Sequence, residues 1–210
     1  RKVPYAVGLK PQLRTRTDQA LEQDAEFQGG VNLILSVLRG SKLKVVLVTT
    51  GSCRDVAAAF NREPELLKEK VKAVYVIAGG GPTEEQGESN VNYDPEAYQR
   101  LFESGLPLHW CPCGSAGYCM SYSIDVPAMV GAFAPALQNY FVYCFTRSQA
   151  DPFAFLATVP VPAPKGFIGI WCTGAFYHSA GRRIYERGPE DFVAWPRAEA
   201  EKAGLTGKEI

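Results

Sequence analysis

Two short apolar runs, each closed by a turn of small residues and followed by a helical pattern, constrain this chain more than any other feature. The first, Leu43-Lys-Val-Val-Leu-Val48, passes through Thr49-Thr50-Gly51-Ser52 into a helix carrying Val56, Ala57 and Phe60. The second, Val74-Tyr-Val-Ile77, passes through Ala78 and the glycines at 79–81 into a polar loop. A helix follows that Asp94 caps and Pro95 opens at its first turn. Runs this short and this rich in β-branched residues read as buried strands. Strand, turn and helix repeated in succession predict an α/β fold: an open, mostly parallel, twisted sheet with helices on both faces. Ligands in such sheets bind where the carboxyl ends of the strands meet the loops. Residues 49–52 and 79–92 are therefore the first place to seek function.

The rest of the chain fits one domain over 1–210, long enough to bury a sizeable core. Val31, Leu33, Ile34, Val37 and Leu38 recur at helical spacing and stop near Gly40, and Leu106–Trp110 reads as a further strand. Pro135–Phe145 reads as a helix. Thr15 to Gln28 is polar without clear apolar period and reads as a mobile loop with at most a helical turn, and Cys111 to Met129, also without a period, as a long loop or an insertion over the crevice mouth. Arg182, Arg183 and Arg187 read as a solvated face, and Arg197 to Ile210 as a charged helix or frayed tail.

Within the second loop Glu88 and Asn90 sit two apart, so an extended backbone would point both side chains the same way. A carboxylate that only accepts hydrogen bonds, beside an amide that donates and accepts, suits the hydroxyls of a sugar. The block of glycines, then Glu88-x-Asn90-x-x-x-Asp94-Pro95-Glu96-Ala97, resembles the inosine-uridine nucleoside hydrolase family. The resemblance implies that Glu88 and Asn90 grip a ribose. Thr50-Gly51 is similar to the Thr-Gly that closes the corresponding family strand, which implies a calcium ligand in the Thr50 carbonyl. Val3-Pro-Tyr-Ala-Val-Gly8, followed by Pro11, is similar to a V-P-V-x-x-G strand and loop of the family.

Ala150-Asp151-Pro152-Phe-Ala154 resembles a late His-Asp-Pro-x-Ala motif of the family, implying a second calcium ligand in Asp151. Ala150 stands where the family's His donates toward the leaving base, and an Ala donates nothing. His178, beside Tyr177 and Trp171, is the residue that could cover a purine ring and replace that donor. The family's opening Asp-rich loop, of the form D-x-D-x-G-x-D-D, has no counterpart among these residues, so the water-activating Asp is not assigned. The resemblance therefore implies an incomplete nucleoside hydrolase-like domain without its N-terminal strand. Its activity would be an N-glycosidase cleaving ribose from base with calcium, in nucleoside salvage, and near-inactive in this chain. The alternatives are a non-catalytic nucleoside- or sugar-binding module, and a purely structural subunit.

Lys plus Arg and Asp plus Glu both number 22, so no surplus of positive charge points to nucleic acid or acidic membranes. No apolar run reaches the length of a membrane span. The partner expected is a small ribonucleoside, with homo-oligomerisation left open. The 6 cysteines read as reduced thiols, which points to a cytoplasmic setting. His109, Cys111, Cys113 and Cys119 crowd together, but their spacing is not the paired C-x-x-C of a structural zinc site.

Overall fold

A computed structural model describes residues 3–80, 87–112, 122–158, 163, 165–170, 173–189 and 191–209. In chain order the elements are α1 (Gly29–Gly40), β1 (Val45–Thr49), α2 (Arg54–Arg62), α3 (Pro64–Lys70), β2 (Val71–Ile77), α4 (Ser89–Asn92) and α5 (Pro95–Glu103). There follow β3 (Leu108–Cys111), β4 (Tyr122–Asp125), α6 (Val126–Gly131), α7 (Pro135–Phe145), α8 (Pro152–Leu156) and β5 (Phe167–Ile170). The last are α9 (Thr173–Ser179), β6 (Arg182–Gly188), β7 (Asp191–Pro196) and α10 (Arg197–Lys202). The chain divides into two compact units, Arg1–Met120 with Cys172–Ile210, and Ser121–Trp171. Among the described residues no helix is long and apolar enough to cross a membrane.

The first unit is built on a parallel sheet of order β1-β2-β3, with Val48 opposite Tyr75 and Tyr75 opposite His109. The alternation of β2 sends Val74 and Val76 to one face, where they meet Val31 and Leu38 of α1, Phe60 of α2, Leu67 of α3 and Leu101 of α5. Ala57, Ala58 and Ala59 are fully buried in α2, and their small size lets that helix lie close in the core. Ala73, Tyr75 and Ile77 go to the other face and meet Cys111 and Ala175 of α9. Helices thus cover both faces, as an α/β sheet requires.

The described residues of three expected loops or tails are more ordered than their composition suggests. Thr15 to Gln28 is pinned rather than mobile: Asn61 Nδ2 donates to the carbonyls of Arg16 and Asp18 at 2.8 Å, and Arg62 Nε to that of Gln19 at 2.8 Å. Within Cys111 to Met129 lie β4 and most of α6, because β4 finds an antiparallel partner in the distant β5. The arginines at 182, 183 and 187 belong to β6, which pairs antiparallel with β7, and Arg182 and Arg183 are half-buried. Arg197 opens the expected charged helix, α10, whose Ala200 packs with Leu205 on the buried Tyr185 behind that hairpin, so residues 197–209 are anchored rather than frayed. In the second unit Val126, Val130 and Val142 form a small core with Phe141, Phe145 and Phe155.

Candidate functional site

The C-terminal end of β2 is where the sequence places the site, and there the chain makes a dense hydrogen-bonded turn. Gly79 adopts φ +87°, and a Cβ on it would lie 2.8 Å from the Tyr98 hydroxyl and 3.2 Å from Trp110 Nε1, so only glycine fits. Trp110 Nε1–H donates to the Ala78 carbonyl at 2.7 Å, tying the end of β2 to β3. Residues 81–86 of the loop lie outside the described residues.

Glu88 is the N-cap of α4, and its carboxylate takes four donors. Oε2 accepts from Gly79 N at 2.9 Å and Val91 N at 3.3 Å, while Oε1 accepts from Asn90 N and Ser89 Oγ, both at 2.9 Å. Asn90 Nδ2 donates to the Ile77 carbonyl at 3.0 Å. The extended backbone expected through Glu88 and Asn90 is corrected here: the cap turns the chain into a helix at Ser89, and the two side chains meet by clasping the strand end. Burial works to raise the Glu88 carboxyl, but the hydrogen bonds from Asn90, Gly79, Ser89 and Val91 outweigh it. The group therefore lies below the ordinary glutamate range and is ionised at neutral pH.

Thr50 is exposed in the turn between β1 and α2, in the first unit. Next to it Thr49 is buried and donates Oγ1–H to the Tyr75 carbonyl at 3.3 Å, and burial pushes the neighbouring Cys53 thiol up to about 11. That thiol is inert packing. Asp151 belongs to the second unit, where its Oδ1 caps α8 by accepting from Ala154 N at 2.8 Å. A calcium ion takes about 6–8 oxygen ligands. The Glu88 oxygens are filled by protein donors, and among the described residues no three His, Cys, Asp or Glu side chains converge. The described residues do not by themselves fit a calcium ion.

His178 is not a partner of Glu88 or Asn90. Its Nδ1 shares a 2.7 Å hydrogen bond with the Tyr75 hydroxyl, and its ring lies against His109. Burial first, then Arg183 and His109, hold its imidazole below the ordinary range. Two contributors escaped sequence reasoning: the Ser89 hydroxyl on Glu88, and the pairing of Tyr75 with His109. The first carries the signal of any Ser after an N-cap acid, and the second needs a strand register that no motif encodes. Cys113 and Cys119 lie outside the described residues.

The end of β2 is thus a strand-end turn of a parallel α/β sheet that gathers a helix-capping carboxylate, an amide and a required glycine, the place where open α/β sheets take their ligands. Residues 6–157 match the profile of the inosine-uridine preferring nucleoside hydrolases, and the chain belongs to that family. Among curated proteins it is 38% identical over 81 residues to the pyrimidine-specific ribonucleoside hydrolase RihA of Enterobacter sp. (strain 638), covering 37% of this chain and 26% of that one. The RihA of Klebsiella pneumoniae is 36% identical over the same length and shares. The match thus spans about a quarter of those relatives' length. Among solved structures, an inosine-uridine preferring nucleoside hydrolase from Bacillus anthracis aligns at 18% identity and TM-score 0.46, covering 82% of this chain and 58% of its own. A purine-preferring ribonucleoside hydrolase from Gardnerella vaginalis aligns at 27% identity and TM-score 0.36, covering 43% and 30%.

Proposed function

We propose that this chain binds the sugar of a ribonucleoside at the end of β2, and that the protein it belongs to hydrolyses the bond from ribose to base. The observation that carries the reading is the single cluster formed by Gly79 N–H, Glu88 and Asn90. Of the four donors on Glu88, only the Ser89 hydroxyl is an O–H, and a ribose hydroxyl offers the same bond to Oε1. Asn90 keeps one amide hydrogen and an Oδ1 that has no partner among the described residues, so it can both donate to and accept from a second hydroxyl. Departure of the base leaves positive charge on the sugar, and an ionised carboxylate fixed beside it stabilises that charge.

A second reading, a non-catalytic nucleoside- or sugar-binding module, is favoured by Ala150 in place of a proton donor and by donors that do not fit calcium. The test is incubation with a ribonucleoside panel, with and without calcium, reading free base by chromatography and binding by calorimetry. Uridine and cytidine come first, after the pyrimidine-specific relatives. Release of base supports the hydrolase, and saturable binding without release supports the module. Neither binding nor release overturns both.

A further inference from the structure

The 2 histidines of the chain meet on the sheet face that carries Ala73, Tyr75 and Ile77. His109 on β3 stands opposite Tyr75 on β2, and the two rings stack with centres 4.7 Å apart and planes at 18°. His178 on α9 touches both. Its Nδ1 shares a 2.7 Å hydrogen bond with the Tyr75 hydroxyl, and its ring centre lies 4.7 Å from that of His109. Ala175, one turn earlier in α9, joins Tyr75 and Cys111 in the core of the same face. Through these two side chains α9 seats on the sheet a stretch that lies beyond residues 6–157, the part matching the family profile. The ribose reading uses none of the three rings.

Charge is one-sided around these rings. Residues 104–124, on either side of His109, and residues 152–185, on either side of His178, contain no Asp or Glu. Besides Tyr75, β2 carries only the exposed Lys72, and β3 adds the Cys111 thiol. From β6, packed against α9, Arg183 acts on both His178 and Tyr75. Its Nε lies 3.4 Å from Glu209, in a pair half open to solvent. Glu186, the acid of β6, is exposed and three residues from Arg183, so it points to the other face of the strand. A proton on His178 therefore sits in a part-enclosed ring against Arg183 and a second imidazole, and among the described residues no carboxylate faces it.

We propose that His178 is a proton-sensitive latch: neutral, it holds α9 to the sheet through Tyr75 and His109, and charged, it lets α9 move off that face. The working range follows from the sign of the shift. The folded imidazole lies below its ordinary 6.5, so the latch is closed above that pH, and its contribution is lost as pH falls through the folded value. Asp18, with its carboxyl at about 2, stays ionised throughout this range.

The experiment is amide hydrogen exchange of the whole chain at pH 8 and pH 5, each rate corrected for the intrinsic effect of pH. The amides to read are Ala180 N, bonded to the Phe176 carbonyl, and Gly181 N, bonded to that of His178, with the β2 amides as the internal reference. Protection at Ala180 and Gly181 should fall several-fold at pH 5 while that of β2 holds. In His178→Gln, whose amide can still bond the Tyr75 hydroxyl but takes up no proton, the two pH values should give the same protection. Equal protection at both pH values in the wild type overturns the proposal. So does a loss shared equally with β2, which is general unfolding, or an unchanged loss in His178→Gln. The comparison of α9 with β2 uses the unaltered chain, so it decides even if the variant misfolds.

Discussion

Arg54 donates its Nε–H to Oδ2 of Asp94 at 2.7 Å, and Asp94 is wholly out of contact with solvent. The same carboxylate accepts from Leu13 N at 2.9 Å and Ala97 N at 3.0 Å, while the guanidinium reaches the carbonyls of Leu9 at 3.1 Å and Tyr93 at 2.6 Å. One ion pair therefore fastens the N-terminal segment, the start of α2 and the start of α5. Removing one partner of a buried pair leaves the other charge uncompensated, at about 3–5 kcal/mol. Asp94→Ala should lose that much in urea unfolding, and Asp94→Asn less because an amide can still cap α5. Wild-type midpoints for both variants would assign the pair no structural role.

Gly8 and Gly40 should respond oppositely to alanine. A Cβ on Gly8 would lie 2.1 Å from Asp55 Oδ2, and that half-enclosed carboxylate is itself held by Leu9 N at 2.9 Å. Gly8→Ala should cost about 1–3 kcal/mol through overpacking. At Gly40, the last residue of α1, a Cβ would meet nothing within 4 Å. Gly40→Ala should therefore stabilise by about 0.4–1 kcal/mol through the unfolded chain. Thermal melts of the two variants side by side check the sign of each.

Asp18 gives the fold a measurable acid limb. The hydrogen bond from Arg14, opposed by burial and aided by the Arg14 and Ala20 amides, lowers its carboxyl from 3.8 to about 2. Because the folded value lies below the unfolded one, the stabilisation is complete above pH 3.8 and is lost as pH falls toward 2. Its size is small, since Arg14 is open to solvent. The stability difference between wild type and Asp18→Asn, from urea midpoints at pH 5, 3.5 and 2.5, should shrink toward zero. A difference at pH 2.5 as large as at pH 5 would mean that the charge is not its source.

At the strand end, Ser89→Ala and Asn90→Ala separate competition from contact. Ser89 Oγ occupies Glu88 Oε1, so its removal should tighten nucleoside binding several-fold. Asn90→Ala removes a hydroxyl partner and should weaken binding by roughly 1.5–3 kcal/mol, on the order of tenfold to hundredfold. It also forfeits the bond to the Ile77 carbonyl, at about 1 kcal/mol of stability. Calorimetry with one nucleoside and all three proteins reads both effects. Weaker binding in Ser89→Ala would show that its hydroxyl assists rather than competes.

What could be read from the sequence was whatever a few adjacent residues decide. The two strand, turn and helix units lie where the apolar runs placed them, and α7 spans Pro135–Phe145 as its pattern indicated. Asp94 and Asp151 cap helices as Asp before Pro should. What could not be read depends on partners distant in the chain. Glu88 looked like a free carboxylate because its donor Gly79 N lies across a loop. His109 and His178 looked unrelated to each other because they meet only once β3 and α9 dock on one sheet face. Residues 15–28 looked mobile because their hydrogen bonds are supplied by Asn61 and Arg62.

The residues from Leu9 to Gln19 hold their place largely by bonds lent from α2 and α5, with no ladder or helix of their own. That dependence fixes an order of events in folding. Leu13 cannot find Asp94, 81 positions away, until α5 is seated, and Leu9 cannot find Arg54 until α2 is. Closing loops of that length sacrifices chain entropy before any bond returns it. This opening stretch should therefore be the last part of its unit to become native and the first to let go. Exchange of the Leu13 amide with solvent deuterium times its release: exchange faster than at the β2 amides places that release ahead of the sheet's opening.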